Sequence, residues 1–166
     1  MTRLFVAAWP PTDVLRELAA IPRPTTPGVR WLPQRNWHIT LRFVGDVGDV
    51  DADSVAARLA DCALPRVVAR LGPETTPLGG RQIVVPVRGV EALALAVRSA
   101  TAGIGDTDRR DFDGHLTIAR LGRHVDPSLP TAALQSEFEI AEIALVASEL
   151  RHDGAAYETI ARFPTR

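Results

Sequence analysis

The sequence predicts an α+β fold in which antiparallel or mixed β-sheets pack against a small number of helices. Short runs rich in β-branched and apolar residues indicate about seven strands, and amphipathic or alanine-rich segments indicate about three or four helices. The predicted strands follow one another directly as often as they alternate with helices. Regular alternation would indicate a parallel α/β sheet, so this order favours α+β.

Turn and cap signals set the expected bounds of these elements. Thr12 and Asp13 are candidate caps for the first helix, and Asp153 and Gly154 predict a tight turn inside a closing hairpin. The strands are expected at 3–9, 38–44, 66–71, 81–88, 115–121, 138–150 and 156–163, and the helices directly after the first strand and at 55–62, 91–102 and 129–135.

Length and composition are those of one soluble globular domain, since 46% of the 166 residues are hydrophobic and 23% are charged. No apolar run reaches the roughly eighteen residues of a membrane span, and the N-terminus lacks a signal-peptide layout. Cys62 is the single cysteine, which excludes an internal disulfide and a cysteine-based zinc site. We therefore expect a cytoplasmic protein. The net charge of −1 excludes a strongly basic polyanion binder, although all 19 basic residues are arginine, whose planar fork suits phosphate.

A four-residue pattern occurs twice: His38-Ile39-Thr40-Leu41 and His115-Leu116-Thr117-Ile118. Successive side chains on a strand point to opposite faces. Each predicted strand therefore directs a histidine and a threonine to one face and two aliphatic side chains to the other. Two of the four histidines stand in these motifs, and the motif histidines lie 77 residues apart (115 − 38), close to half the chain, as an internal duplication would produce.

Paired imidazoles suit acid–base chemistry on a phosphodiester. Imidazole titrates near neutral pH, so one ring can take a proton from the attacking water while the other protonates the leaving oxygen. A threonine hydroxyl two residues further along each strand can donate a hydrogen bond to a phosphate oxygen. The pattern therefore predicts metal-independent cleavage of a strained phosphodiester. His124 and His152 follow no motif, and we interpret them as loop residues.

The chain resembles the 2H phosphoesterase superfamily, named for its two His-x-Thr/Ser-x motifs, and within it the LigT-like RNA 2′,3′-cyclic phosphodiesterases, also called 2′-5′ RNA ligases. The likeness covers nearly the whole chain. Gly114 departs from it, because the family usually has proline before the second histidine. The segments that carry the likeness are Arg3–Ala7 with Trp9 and Pro10, Arg30–Asn36, the first motif with Phe43 and Gly45, Phe112 and the second motif with Ala119 and Arg120, and Ser148–Leu150 with Tyr157.

The resemblance implies one LigT-like domain over residues 1–166, formed by two pseudo-symmetric lobes that each contribute one motif. Two antiparallel or mixed sheets would face each other across a central cleft, with helices outside. It implies hydrolysis of RNA 2′,3′-cyclic phosphate ends to 2′-phosphate ends, with no cofactor and no metal. His38 would be the general acid and His115 the general base. The partners would be RNA with cyclic phosphate ends, including tRNA fragments, or small cyclic nucleotides.

Threonines and arginines are the expected phosphate ligands. Thr40 and Thr117 follow from the motifs. Arg42 has the strand parity of His38, whereas Arg120 matches a family position but would point to the opposite face under strict alternation. Candidates for stacking on bases are the aromatic residues Trp31, Trp37, Phe112 and Tyr157.

Other interpretations keep part of this reasoning. The same site would serve a 2′-5′ RNA ligase or a phosphodiesterase for small cyclic nucleotides. A non-catalytic RNA-end-binding module would not need two titratable groups. A zinc hydrolase is disfavoured because neither motif has a third histidine or an acidic residue at ligand spacing. We expect a monomer, since a small cleft enzyme needs no partner.

Overall fold

One large β-sheet determines the architecture of the protein. A computed structural model describes residues 1–106, 111–123, 125, 131–152 and 154–166 of the chain. Strands and helices follow in the order β1 (Thr2–Ala8), α1 (Thr12–Ala19), β2 (Val29–Trp31), a short 3₁₀ helix (Gln34–Asn36), β3 (Ile39–Val47), α2 (Asp49–Asp61), β4 (Val67–Leu71), β5 (Thr76–Leu78), β6 (Gln82–Arg88), α3 (Glu91–Ala100), β7 (His115–Leu121), β8 (Ser136–Ile140), β9 (Glu142–Arg151) and β10 (Gly154–Pro164).

The ten strands of the described residues form one curled sheet in the order β10-β9-β1-β3-β7-β6-β4-β8, with β2 added to β7 and β5 to β6. Every strand pair in the described part of the chain is antiparallel. Neighbouring strands in sequence, such as β9 and β10, can then be joined by a short hairpin. The expected α+β class is confirmed, and the pairing is antiparallel rather than mixed.

The two motif strands meet at the middle of this sheet. β3 and β7 share one residue pair in their register, Ile39 with Leu116. One side of this junction carries β10, β9 and β1, and the other carries β6, β4 and β8. The two facing sheets that the resemblance implies are thus two halves of one curled sheet. The division of a single domain into two pseudo-symmetric lobes stays a prediction.

Aliphatic side chains behind the motifs form the centre of the core. Ile39, Leu41, Leu116 and Ile118 are each no more than 2% exposed, as the alternation predicted. Burying a side chain of this size contributes about 1.5–3 kcal/mol each, so both motif strands are firmly anchored. The helices bury residues at helical spacing, for example Val14 and Leu18 in α1, Val55 and Leu59 in α2, and Leu93 and Val97 in α3.

Several local predictions were wrong. The strand expected at 138–150 is two strands, because the chain leaves the β4 edge after Ile140 and begins pairing with β1 and β10 at Glu142. The helix expected at 129–135 is absent from its described part, residues 131–135, where Ala133 instead forms a bridge to Glu74. Residues 129 and 130, His124 and the turn residue Asp153 lie outside the described residues.

Helix lengths and caps also differ from expectation. Pro11 rather than Thr12 or Asp13 occupies the N-cap position of α1, without a side-chain cap. α2 begins at Asp49, six residues before the expected start at 55, and carries Asp49 and Asp51 in its first turn, where the helix dipole favours acidic side chains. No helix among the described residues has the length and apolar character needed to cross a membrane.

Candidate active site

A cavity of about 280 Å³ lies where the two motif strands come together. All four motif side chains with polar groups line it: His38, Thr40, His115 and Thr117. His38 immediately precedes β3, whereas His115 is the first residue of β7. The parity predicted from the sequence therefore places two imidazoles and two hydroxyls around one cavity, with their aliphatic neighbours in the core.

Both imidazoles are fixed in the same way. Nδ1 of His38 lies 2.8 Å from the main-chain oxygen of Asn36, and Nδ1 of His115 lies 2.7 Å from that of Asp113. A carbonyl oxygen can only accept, so each Nδ1 carries a proton and donates it. Nε2 of each ring is then the nitrogen available for proton transfer in the cavity.

Asn36 holds the segment before the first histidine in place. Its side chain is 7% exposed, and Nδ2 donates a 2.9 Å hydrogen bond to the main-chain oxygen of Ala155 in β10. Trp37, which follows it, is only 1% exposed and anchors the same segment in the core. Main-chain positions on both sides of the Asn36 carbonyl are therefore constrained, which fixes the orientation of the His38 ring.

Aromatic rings surround His38. The rings of Phe5 and Trp9 lie 4.8 and 5.4 Å from it between centroids, and Tyr157 meets it edge-on at 5.2 Å. Burial among these rings lowers the pKa of His38 from 6.5 to about 4; the hydrogen bond to Asn36 opposes this shift, and nearby His115 and Arg120 add to it. His38 is thus neutral at pH 7 in the unliganded protein.

Thr117 already has a hydrogen-bond partner in the cavity. Its Oγ1 donates to Oε1 of Gln82 at 2.8 Å. With its oxygen occupied, Gln82 has its amide nitrogen left as a donor, and Gln82 also lines the cavity. The second motif therefore presents a linked hydroxyl and amide beside His115.

Arg120 lines the cavity even though strict alternation would direct it away. Thr117 pairs with Val84, but Ala119 pairs with the adjacent Ile83, so β7 contains one extra residue at this point. Such a β-bulge reverses the alternation beyond it. Ile118 and Ala119 are both buried, and Arg120 returns to the face of His115 and Thr117.

Arg42 requires a correction. Thr40 pairs with Ala7 while Arg42 pairs with Val6, so β3 has a bulge at the matching place and Leu41 and Arg42 are both buried. The Arg42 guanidinium donates to the main-chain oxygens of Thr101 and Ile104 and to the Thr101 hydroxyl. It holds the end of α3 instead of facing the cavity with His38, and we do not retain it as a phosphate ligand.

The four stacking candidates are distributed over different surroundings. Tyr157 lines the cavity of the imidazoles, Phe112 lines a neighbouring cavity together with His115, and Trp31 lines a third cavity beside Tyr157. Trp37 is wrong as a stacking residue because it is buried in the core. Burial raises the pKa of the Tyr157 hydroxyl, against the opposing effect of Arg120 and Arg30.

Sequence reasoning did not select Gln82 or Phe43 as site residues, although both line the cavity. Gln82 is one polar residue at the start of an apolar strand, and only its register opposite Arg120 brings it to the site. Phe43 was noted as a flank of the first motif, and the β3 bulge turns it inward. No group of three or more His, Cys, Asp and Glu side chains that could hold a metal occurs among the described residues.

Comparison with known proteins gives relatives that match most of the chain. Residues 8–71 match the family model described as LigT like Phosphoesterase. An RNA 2′,3′-cyclic phosphodiesterase of Geobacillus stearothermophilus is 32% identical over 148 residues, which are 81% of this chain and 47% of the relative; the chain thus spans about half of that relative's length. An RNA 2′,3′-cyclic phosphodiesterase of Archaeoglobus fulgidus is 26% identical over 162 residues, 90% of this chain and 89% of the relative.

Solved structures share the fold. TT0787 of Thermus thermophilus superposes with a TM-score of 0.83 at 25% identity, over 99% of this chain and 98% of its own. LigT of E. coli, crystallised with 3′-AMP, gives a TM-score of 0.81 at 23% identity over the same shares. The curled sheet and the paired His-x-Thr-x motifs define a 2H phosphoesterase. Within that superfamily, the family model and the two curated relatives make the chain similar to the LigT-like phosphoesterases.

Proposed function

We propose that the protein is an RNA 2′,3′-cyclic phosphodiesterase that opens cyclic phosphate ends to 2′-phosphate ends by two-histidine acid–base catalysis. The observation that carries this proposal is the shared geometry of His38 and His115. Each donates Nδ1–H to a main-chain oxygen, and both line one cavity with two threonines. The Geobacillus and Archaeoglobus relatives are both named RNA 2′,3′-cyclic phosphodiesterases, which supports this substrate.

The reaction needs two proton transfers around one phosphorus atom. Water attacks the phosphorus while one imidazole Nε2 takes a proton from it. The bond from phosphorus to the 3′ oxygen breaks, and the other imidazole gives that oxygen a proton, which leaves a 2′-phosphate monoester and a 3′ hydroxyl. Each positioned acid or base typically contributes about 10²–10⁴-fold in rate.

Hydrogen-bond donors around the imidazoles would bind the phosphate. Thr40, Thr117 and Arg120 line the cavity, and we assign them to its non-bridging oxygens. Thr117 can turn from Gln82 to the phosphate, since a hydroxyl rotates at little cost. Donors placed where negative charge develops stabilise the transition state more than the ground state.

Which imidazole is the acid can be tested directly. The sequence-based prediction makes His38 the acid, yet its pKa of about 4 makes the free protein better prepared to use His38 as a base. The acid role requires His38 to gain a proton when the anionic phosphate binds beside it. Ligation and hydrolysis exchange the two roles, so the prediction concerns hydrolysis alone.

A substrate with sulfur in place of the bridging 3′ oxygen distinguishes the two assignments, because a thiolate leaves without protonation. The variant that lacks the acid should recover activity on the sulfur substrate relative to the oxygen substrate, and the variant that lacks the base should not. Recovery in His38→Ala supports the sequence-based prediction. Recovery in His115→Ala reverses it.

The proposed activity itself is tested by product analysis. A short oligonucleotide ending in a 2′,3′-cyclic phosphate is incubated with the protein in excess chelator, and phosphorus NMR identifies the ester formed. We expect a 2′-phosphate at the rate seen without chelator. A 3′-phosphate product, or binding without turnover, would contradict the proposal; the latter would indicate an RNA-end-binding module.

Two alternatives use the same site and are separated by substrate. A 2′-5′ RNA ligase would join the cyclic end to a 5′ hydroxyl oligonucleotide, and a small-molecule phosphodiesterase would prefer a cyclic mononucleotide. Both substrates belong in the same assay. The cytoplasmic location, the monomeric state and the identity of the physiological RNA, tRNA fragments included, stay predictions.

A further inference from the structure

A second cavity, of about 240 Å³, adjoins the one that contains the imidazoles. The two share Arg120 and Tyr157 in their walls. Four arginines line the second cavity, namely Arg30, Arg35, Arg120 and Arg151, and no acidic residue lines it among the residues that the structure describes. We call it the arginine cavity. With a net charge of only −1 over the chain, this density of positive charge is local.

Arg30 and Arg35 gain no ion pair from the described part of the unliganded fold. Arg30 lies directly opposite Arg120 in the antiparallel pair of β2 and β7. Like charges in directly opposed positions destabilise a sheet. Arg30 and Arg35 are both exposed and form no ion pair with any described residue, whereas Arg151 is already paired with Glu149. A bound anion would convert the repulsion between Arg30 and Arg120 into a shared attraction.

The arginine cavity also lies in the right place for a longer substrate. Arg120 and Tyr157 stand at its junction with the imidazole cavity, so an anion held by Arg30 and Arg35 would lie one group away from the phosphorus that reacts. In a nucleotide with a cyclic 2′,3′ end, the next phosphate is the one on the 5′ side of the same ribose. The guanidinium fork binds phosphate oxygens in pairs, which suits this group.

We propose that Arg30 and Arg35 bind the phosphate on the 5′ side of the terminal nucleotide, while Arg120 lies at the junction between this phosphate and the reacting one. The site therefore selects substrates with a second phosphate over nucleoside 2′,3′-cyclic phosphates. This inference rests on the proposed cyclic phosphodiesterase function. It decides between two substrate classes that the imidazoles alone leave open, because a simple cyclic mononucleotide leaves the arginine cavity empty.

Three substrates with the same base test the inference: a nucleoside 2′,3′-cyclic phosphate, its 5′-phosphorylated form, and a dinucleotide with the same cyclic end. The 5′-phosphorylated form carries the second phosphate as a free monoester, and the dinucleotide carries it as an internucleotide linkage. Comparing them shows which kind of phosphate the arginine cavity binds. For the wild type we expect kcat/KM to be at least about tenfold higher for both than for the first, since one charged hydrogen bond is worth about that factor.

Arg30→Gln and Arg35→Gln should each reduce this ratio of kcat/KM values several-fold and weaken its dependence on salt. Arg16→Gln removes one exposed arginine from α1, outside both cavities, and should leave the ratio unchanged. The thermal midpoint should not fall in Arg30→Gln, because the substitution relieves the like-charge pair with Arg120. A smaller ratio of kcat/KM values in Arg30→Gln would then reflect weaker binding of the second phosphate, since the fold is not destabilised.

Equal kcat/KM for all three substrates in the wild type would overturn the inference while leaving the phosphodiesterase activity established. So would an unchanged ratio in both arginine variants. Preference for the 5′-phosphorylated mononucleotide but not for the dinucleotide would identify a free terminal phosphate as the ligand and overturn the internucleotide linkage. If none of the three substrates is opened, the proposed function itself fails, which is a separate result.

Discussion

The two motif strands, β3 and β7, each contain a β-bulge, but they present different side chains to the cavity. After each His-x-Thr pair a bulge places two buried residues in succession, Leu41 and Arg42 in β3 and Ile118 and Ala119 in β7. The next residue then faces the cavity: Phe43 in the first strand and Arg120 in the second. Equivalent backbone positions therefore supply an aromatic ring on one side of the imidazoles and a cation on the other.

The neighbouring strands extend this contrast. Phe5 of β1 pairs with Phe43, and Gln82 of β6 pairs with Arg120. The side of the first motif is lined by rings that lower the pKa of His38, and the side of the second motif by groups that can hold a phosphate. Under the proposed function, the first side would stack on the flat aromatic face of a base and the second side would hold a charged phosphate.

The largest expected effect comes from the feature that the two strands share. His38→Ala and His115→Ala should each lower kcat on a cyclic-ended oligonucleotide by about 10²–10⁴-fold, because each removes one proton-transfer group. Rates are measured by following the conversion of the cyclic-ended oligonucleotide to its opened form on a gel. His152→Ala, which alters an exposed histidine in the β9–β10 turn, is the matched control and should keep wild-type activity. Full activity in either motif variant would end the two-histidine proposal.

The next largest effect separates the arginines on the two strands. Arg120→Gln should lower kcat/KM by about tenfold or more, because a charged donor to phosphate is lost, with little change in stability. Arg42→Met should instead lower stability and leave kcat/KM little changed. It leaves the main-chain oxygens of Thr101 and Ile104 without their donor, at a cost of roughly 3 kcal/mol in unfolding free energy.

Steady-state kinetics and urea unfolding on both variants give the result. The comparison of the two strands would be wrong if Arg42→Met lost activity at unchanged stability, or if Arg120→Gln lost stability at unchanged activity.

A smaller effect follows from the surroundings of His38. Its folded pKa of about 4 lies below the ordinary 6.5 of an unfolded histidine, so the folded state favours the neutral ring. The contribution of the neutral His38 ring to the free energy of unfolding is fully present above about pH 6.5. It is lost as the pH falls toward 4, by on the order of 3 kcal/mol at most.

Urea unfolding between pH 7.5 and 4 measures this dependence. His38→Gln should flatten this pH dependence of the unfolding free energy in that window. An NMR titration in which the His38 ring titrates near 6.5 in the folded protein would contradict the claimed effect of the aromatic side.

The smallest expected effect concerns Phe43. Its ring is 40% exposed, lines the cavity and lies 5.8 Å from the guanidinium carbon of Arg3. Phe43→Leu should lower kcat/KM by about fivefold, at the low end for loss of base stacking, while an exposed substitution changes the thermal midpoint little. An unchanged kcat/KM would remove the aromatic side from substrate binding.

Alternation along a strand was sufficient to predict the centre of the site but not its edges. It placed His38 with Thr40 and His115 with Thr117 because these pairs lie before any irregularity. It gave Arg42 and Arg120 the wrong faces because Arg42 lies in a bulge and Arg120 directly follows one. A bulge depends on the register with a neighbouring strand. Gln82 was missed for the same reason, since it reaches the site only through pairing opposite Arg120.

The separation of β8 from β9 was likewise hidden from the sequence. Residues 138–150 contain apolar residues throughout and no Gly, Pro, Asn or Asp, so nothing local indicates that pairing changes partners around Ala141. The α+β class was predictable because it depends on the number and order of elements. The single curled sheet depends on contacts between residues far apart in the chain.

The main-chain oxygen of Asn36 accepts the hydrogen bond from Nδ1 of His38. The side-chain amide of the same Asn36 donates to the main-chain oxygen of Ala155, a residue 119 positions away. Through this hydrogen bond the closing hairpin helps to set the tautomer of the first imidazole from a distance. A deletion that shortens the beginning of β10 would remove the acceptor and allow the ring to turn, although every motif residue would still be present.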